Sequence, residues 1–178
     1  MFSPAIRITL IVAAIIIGSY GLSIGSSSGW IMILAAVGFA FGYFRYGAVW
    51  SAWRAIRAEN FDWAKSLMST VRYPSLLSRQ TLAYYHFANG LLCMQDDRLD
   101  AATDHLLAAS EGALRTSNDR CIVLLNLAWL KANAGEIESA RNYLKTAGTL
   151  PHKQEVANEF SRIESLIEET GENRGEKR

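Results

Sequence analysis

Apolar positions are laid out in two different ways along this chain. From Ile8 to Ile24 (ITLIVAAIIIGSYGLSI) they run without a charged residue, and from Trp30 to Trp50 they do so again apart from Arg45. Beyond residue 50 they recur at spacings of three and four between charged positions, the mark of amphipathic helices. The first pattern predicts two helices joined by the polar stretch Gly25–Ser26–Ser27–Ser28–Gly29. At roughly 17 residues or more, each has the length expected of a helix that crosses a bilayer. The second predicts a helical domain facing water.

Charge sharpens this division. Residues 1–50 contain only Arg7 and Arg45, and nearly all other charge lies further on. Arg45 is placed where its stem can lie along lipid with its head at the interface. Trp30 at one end of the second run, and Tyr43, Phe44, Tyr46 and Trp50 at the other, match aromatic belts at two headgroup levels. Arg7 precedes the first run, while Arg45, Arg54 and Arg57 end or follow the second. The expectation is an integral membrane protein, of the bacterial inner membrane type, with spans over 8–24 and 30–50 and both termini cytoplasmic. A cleaved leader over residues 1–25 is the competing reading. Small residues at spacing four, Gly21 with Gly25 and Gly38 with Gly42, are the candidate positions for close helix packing, within the hairpin or against another subunit.

Residues 50–150 repeat with a period of 38, the feature to seek first in a helical sequence. Six classes fall into line: Ala52, Gly90 and Ala128; Phe61, Leu99 and Ile137; Asp62, Asp100 and Glu138; Ala64, Ala102 and Ala140; Met68, Leu106 and Leu144; Val71, Ala109 and Ala147. Each class suits a position in a helix-turn-helix unit. The first small residue lets the two helices cross closely, and the Ala of the second helix faces it. The acidic residue falls in the first turn of the second helix, where it complements free N–H groups and the helix dipole.

With its small residue, Gly, Ala, apolar residue, Ala and Pro, the third copy (Leu124, Leu127, Ala128, Gly135, Ile137, Ala140, Leu144, Ala147, Pro151) resembles the tetratricopeptide repeat family. The resemblance covers about residues 45–151. The usual period of that family is 34, so four extra residues per unit point to lengthening at 73–78 and 112–118. In the second copy, about 83–110, Asp97 stands where Gly is usual. The first copy departs most, because its first helix, 45–57, merges with the second apolar run. The resemblance implies an all-α fold: a two-span hairpin over 1–50, three repeats forming a short α-solenoid over 51–151, and a capping helix over 152–169. That last helix carries Val156, Phe160, Ile163 and Ile167 on one face. Residues 170–178 (TGENRGEKR) are too polar to pack and are expected to be disordered.

Tyr73–Pro74 marks a helix end, since Pro disfavours helical geometry in its predecessor. Thr116 and Asp119 have capping-box spacing before the apolar run 121–129. The net charge of +1 argues against a broad nucleic-acid surface. Cys93 and Cys121 have no disulfide or zinc spacing and read as small buried apolar residues. Asp96 and Asp97 fall in an inter-helix turn, where capping and solvation account for them. His86, His105 and His152 show no ligand partner at helical spacing, and no phosphate loop, HExxH or Gly-x-Ser-x-Gly is present. The expectation is a protein without catalytic residues, cofactor or metal.

In the tetratricopeptide family, partners lie on the face of the first helix of each unit. That implies a protein-binding groove of Tyr84, Phe87, Leu91 and Met94 from copy two, with Ile122, Leu125, Trp129 and Asn133 from copy three. The spacing also puts each set on one helical stripe. Its aromatic and aliphatic character suits an amphipathic helix or an apolar segment of a partner. The last helix folding into the groove is the alternative occupant. Two functions follow as expectations: a membrane-anchored adaptor or scaffold, or an accessory subunit of a larger membrane complex docked through the Gly-rich hairpin.

Overall fold

A computed structural model describes residues 4–26 and 28–175, with the side chains of 4–8, 28, 39–41, 43–47 and 172–175 outside the description. Among the described residues the fold is all-α, without a strand. The chain divides into two compact units, Met1–Ala48 and Val49–Arg178.

Unit one holds helix α1 (Pro4–Ser23) and the larger part of α2 (Ser28–Arg57). The turn between them is set by Gly25, whose φ of 76° lies in the left-handed region. The N–H of Ser26 donates to the Gly21 carbonyl at 2.9 Å and that of Gly25 to Leu22 at 3.0 Å, which satisfies carbonyls at the end of α1. A Cβ on Gly29 would meet the Gly18 oxygen at 2.6 Å, and one on Gly18 would meet Ile33 Cγ1 at 2.8 Å. The close approach therefore rests on Gly18, Gly21 and Gly29. Of the expected packing glycines, only Gly21 lies there. Gly25 forms the turn, and among the described residues nothing lies within 4 Å of a Cβ built on Gly38 or Gly42.

Among the described residues, no helix is long and apolar enough to cross a membrane. This corrects the two spans, and the integral-membrane placement with cytoplasmic termini falls with them. Charge-free length, flanking arginines and aromatic positions had suggested the crossing, and these report side-chain preference for an environment without establishing a crossing.

Unit two contains the end of α2 followed by α3 (Phe61–Ser69), α4 (Arg79–Gln95), α5 (Leu99–Glu111), α6 (Ser117–Asn133), α7 (Ile137–Gly148) and α8 (Gln154–Gly175), with a short 3-10 turn at Pro74–Leu76. The helices follow the period of 38. Helices α3, α5 and α7 each begin on the large apolar residue of the second class. Helices α4 and α6 are both 17 residues long and start 38 positions apart. Their N-caps, Ser78 and Thr116, accept from the backbone N–H three residues on, at 3.3 and 3.0 Å.

The turns inside the pairs repeat as well. Glu59, Asp97 and Gly135 have φ of 58°, 56° and 75°. In each case the next N–H reaches back to the carbonyl five residues earlier: Asn60 to Ala55, Arg98 to Cys93 and Glu136 to Lys131, at 2.9, 2.9 and 2.8 Å. One left-handed residue thus closes every first helix, with Gly in only one of the three places.

Burial completes the correspondence. Ala64, Ala102 and Ala140 are each fully buried, as are Ala52 and Ala128; Met68, Leu106 and Leu144 are buried, while Asp62, Asp100 and Glu138 are exposed. Val71 is the departure. Helix α3 stops at Ser69, ahead of Tyr73–Pro74, so Val71 lies beyond it and is half-buried, unlike Ala109 and Ala147.

Helix α8 packs against α6 and α7. Phe160, Ile163 and Ile167 stand 38 residues after Ile122, Leu125 and Trp129, so α8 keeps the register of a first helix. Glu164 and Glu168, exposed, occupy positions where α4 buries Ala88 and Leu92. The helix runs to Gly175, which corrects the disordered tail expected from residue 170. Thr170 and Gly171 are half-buried, and Thr170 Oγ1 donates to Leu166 O at 2.7 Å. Residues 176–178 lie outside the described residues.

Candidate interaction surface

The exposed or half-exposed side chains of α4 and α6 decide how much of the expected groove is surface. Tyr84, Phe87 and Leu125 are core residues, at 2%, 0% and 4% exposure. The end of α2 covers the first two: the Trp53 ring lies 4.5 Å from Phe87, and Trp50 and Trp53 lie 4.7 and 5.5 Å from Tyr84. The sequence reading treated this face of copy two as open because it gave Trp50 to the headgroup belt and assigned Trp53 no place in the stack. Leu91 and Met94 on α4, and Ile122 and Trp129 on α6, are half-buried. Asn133 is exposed, and its amide donates to the Trp129 carbonyl at 2.8 Å.

On α6, Ile122, Asn126, Trp129 and Asn133 follow one stripe at spacings of four, three and four. The Asn126 amide donates to the Ile122 carbonyl at 2.8 Å, the same back-bonding that Asn133 makes. The stripe thus alternates an apolar side chain with a carboxamide, twice over, and each amide nitrogen is bonded back to its own helix. Such a face offers apolar area beside a few hydrogen-bonding groups.

Tyr84 ties the two helices that carry this face. Its hydroxyl donates to the Asp119 carboxylate and accepts the Arg115 N–H at 3.3 Å. Burial, and then the bond to Asp119, push the phenol well above its ordinary range. Asp119 is the acidic residue of the Thr116 capping spacing. Thr116 caps its N–H as expected, but the carboxylate serves Tyr84 in place of returning to the cap.

At the other corner, Lys65 pairs with Asp96 at 2.5 Å and Arg98 with the same carboxylate at 3.5 Å. The Lys65 hydrogen bond holds Asp96 below the usual carboxylate range. Cys93 and Cys121 are buried free thiols. Burial pushes the Cys121 thiol up, and its Sγ lies 3.6 Å from the Ala147 carbonyl.

The pair that sequence spacing missed is His86 and His105. Their Nδ1 atoms are 3.1 Å apart, their ring centroids 5.3 Å. Both rings are half-buried, and burial holds both pKa values below the ordinary histidine value. The signal was present in the repeat: His86 lies one helical turn before Gly90, and His105 is next to Leu106, which Gly90 faces. Among the described residues no group of three or more His, Cys, Asp or Glu is arranged to hold a metal ion.

Comparison with protein-family models, with curated proteins and with solved structures finds no match for this chain.

Proposed function

We propose that the chain is a non-catalytic protein-interaction adaptor whose unit two is a short α-solenoid of the tetratricopeptide type. The observation that carries this reading is the recurrence, every 38 residues, of one buried Ala, one large apolar residue and one left-handed turn. Stacked units of this kind leave the faces of their first helices as an extended surface for partners. Here that surface centres on Ile122, Trp129 and Asn133 of α6, with Leu91 and Met94 of α4 beside them in the repeat. Its partner is an amphipathic helix or apolar segment of another protein.

A photo-reactive amino acid at Trp129 or Asn133, introduced one at a time into the full chain in cells, tests the reading. The expected result is one recurring protein adduct that is absent when the probe replaces Glu138, on α7. Adducts at Glu138 alone, or none at α6, would remove the basis for the proposal.

A second reading, a subunit docked into a larger protein assembly through unit one, draws on a separate observation. Ile16, Ile17, Tyr20, Ile24, Trp30, Ile31, Leu34 and Val37 are each more than half exposed. Apolar surface of that density usually marks an interface. Probes at Ile16 and Ile31 separate the readings, since adducts there without any at Trp129 favour docking.

A further inference from the structure

Helix α4 brings His86 to the crossing with α5, and α5 supplies His105 from 19 residues away. We propose that these two imidazoles chelate a divalent transition-metal ion of the zinc, copper or nickel kind through their Nδ1 atoms, so that the ion clips α4 to α5.

The spacing of the two nitrogen donors is that of a chelate, and a small turn of each ring would aim both lone pairs at one ion. With metal–nitrogen bonds of about 2.0–2.1 Å, two ligands of a tetrahedral or square-planar ion lie roughly 2.8–3.4 Å apart. The observed Nδ1 separation is 3.1 Å, with the rings tilted by 41°. Both side chains are half-buried, which leaves the ion a path from solvent while neighbouring residues limit ring motion. Imidazole is a ligand in its neutral form, and burial favours that form for both rings. Two nitrogen donors with no carboxylate between them select against magnesium and calcium, which prefer oxygen. The protein fills two coordination positions, and water takes the others. The Nε2–H of each ring remains free to donate to water or to a partner group.

The competing account of the same geometry is a single hydrogen bond, with one Nδ1–H donating to the other Nδ1. The two accounts differ in what added metal does. A chelated ion binds the folded chain, in which the two residues meet, and binds the unfolded chain poorly, so it raises the melting temperature by mass action.

The experiment is a calorimetric titration of Zn2+ into the full chain, free of any histidine tag, with a melt at each metal concentration. One ion per chain and a melting temperature that climbs with Zn2+ are expected, with no response to Mg2+. His86→Gln and His105→Gln should each weaken binding about tenfold or more, since each removes one of two ligands. His152→Gln, at an exposed residue, should leave it unchanged. Nitrogen-15 spectra of the unaltered protein supply a readout independent of any variant: Zn2+ should move the Nδ1 signals of His86 and His105. No Zn2+ dependence of the melt, or Zn2+ signals confined to His152, overturns the proposal.

Discussion

The second and third helix pairs share one backbone and solve its constraints with different residues. At the close crossing, α4 and α5 meet as Gly90 over Leu106, whereas α6 and α7 carry Ala128 and Leu144. The left-handed turn is Asp97 in one and Gly135 in the other. At the flank of the crossing stand His86 and His105 in the second pair, and Leu124 and Tyr143 at the same positions in the third. The period is therefore a property of geometry first. Where the shape demands one residue type, substitution should be costly, and where it only prefers one, the pairs have drifted apart.

The crossing gives the largest expected effect. A Cβ on Gly90 would meet Leu106 Cγ at 2.7 Å and Cδ2 at 2.8 Å, and the γ-carbon is not a flexible tip. Gly90→Val should cost about 3 kcal/mol, since overpacking of a filled core outweighs the gain over Gly in helix propensity. Ala128→Gly, the reverse change in the third pair, should cost only about 1 kcal/mol, from propensity and one lost methyl. Chemical denaturation of both variants gives the ratio. Equal losses would mean that the two crossings are not equivalent in the way the burial pattern says.

These crossings also show what could be read from the sequence. Ala64, Ala102 and Ala140, with the large apolar residues that follow them, gave the helix pairs and their register, because side-chain size at a helix crossing is a local requirement. The left-handed turn was legible only at Gly135. Glu59 and Asp97 perform the same bend without the residue type that signals it. The face of α4 was misjudged because whether Tyr84 is covered depends on Trp50 and Trp53, more than 30 positions away. Spacing along one helix carries no information about that. The hairpin was read from charge-free runs, flanking arginines and aromatic positions, which report the environment that side chains prefer and do not by themselves establish a crossing.

The caps come next in size. Ser78 and Thr116 hold the starts of α4 and α6 through the same bond, 3.3 Å in one and 3.0 Å in the other. Thr116→Ala should cost about 1 kcal/mol and Ser78→Ala somewhat less, following the longer bond. Thermal melts suffice to measure both. A neutral Thr116→Ala would show that the Tyr84–Asp119 bond, not the cap, holds the start of α6.

The turns should respond in opposite directions. Asp97→Gly relieves a side chain from left-handed geometry and should stabilise by about 0.5–1 kcal/mol, and Glu59→Gly should do likewise. Gly135→Ala should destabilise by about 1 kcal/mol. Asp97 has the weaker case of the two non-glycine sites, because Asp tolerates this region better than Glu does. If Glu59→Gly gains less than Asp97→Gly, the neighbouring Lys65–Asp96–Arg98 cluster, and not backbone strain, sets the energy of these turns.

The flank of the crossing gives the smallest effect, and one that depends on pH. Burial lowers the pKa of both His86 and His105, and for His86 the charge of its partner adds to this. Of the charged neighbours, Arg98 acts in the same direction on His105 while Asp104 opposes it. A histidine whose folded pKa lies below its unfolded value binds fewer protons when folded. Its contribution is therefore complete above the unfolded pKa of about 6.5 and is lost as the pH falls below that value toward the folded one. Replacing the pair with the third unit's residues, His86→Leu with His105→Tyr, should flatten the melting temperature in that acid window and leave it little changed at neutral pH. Melts of the wild type and the double variant across the window measure the difference. A wild-type acid loss that the double variant keeps in full would assign it to other groups and make the two flanks equivalent, like the turns, in spite of their different residues.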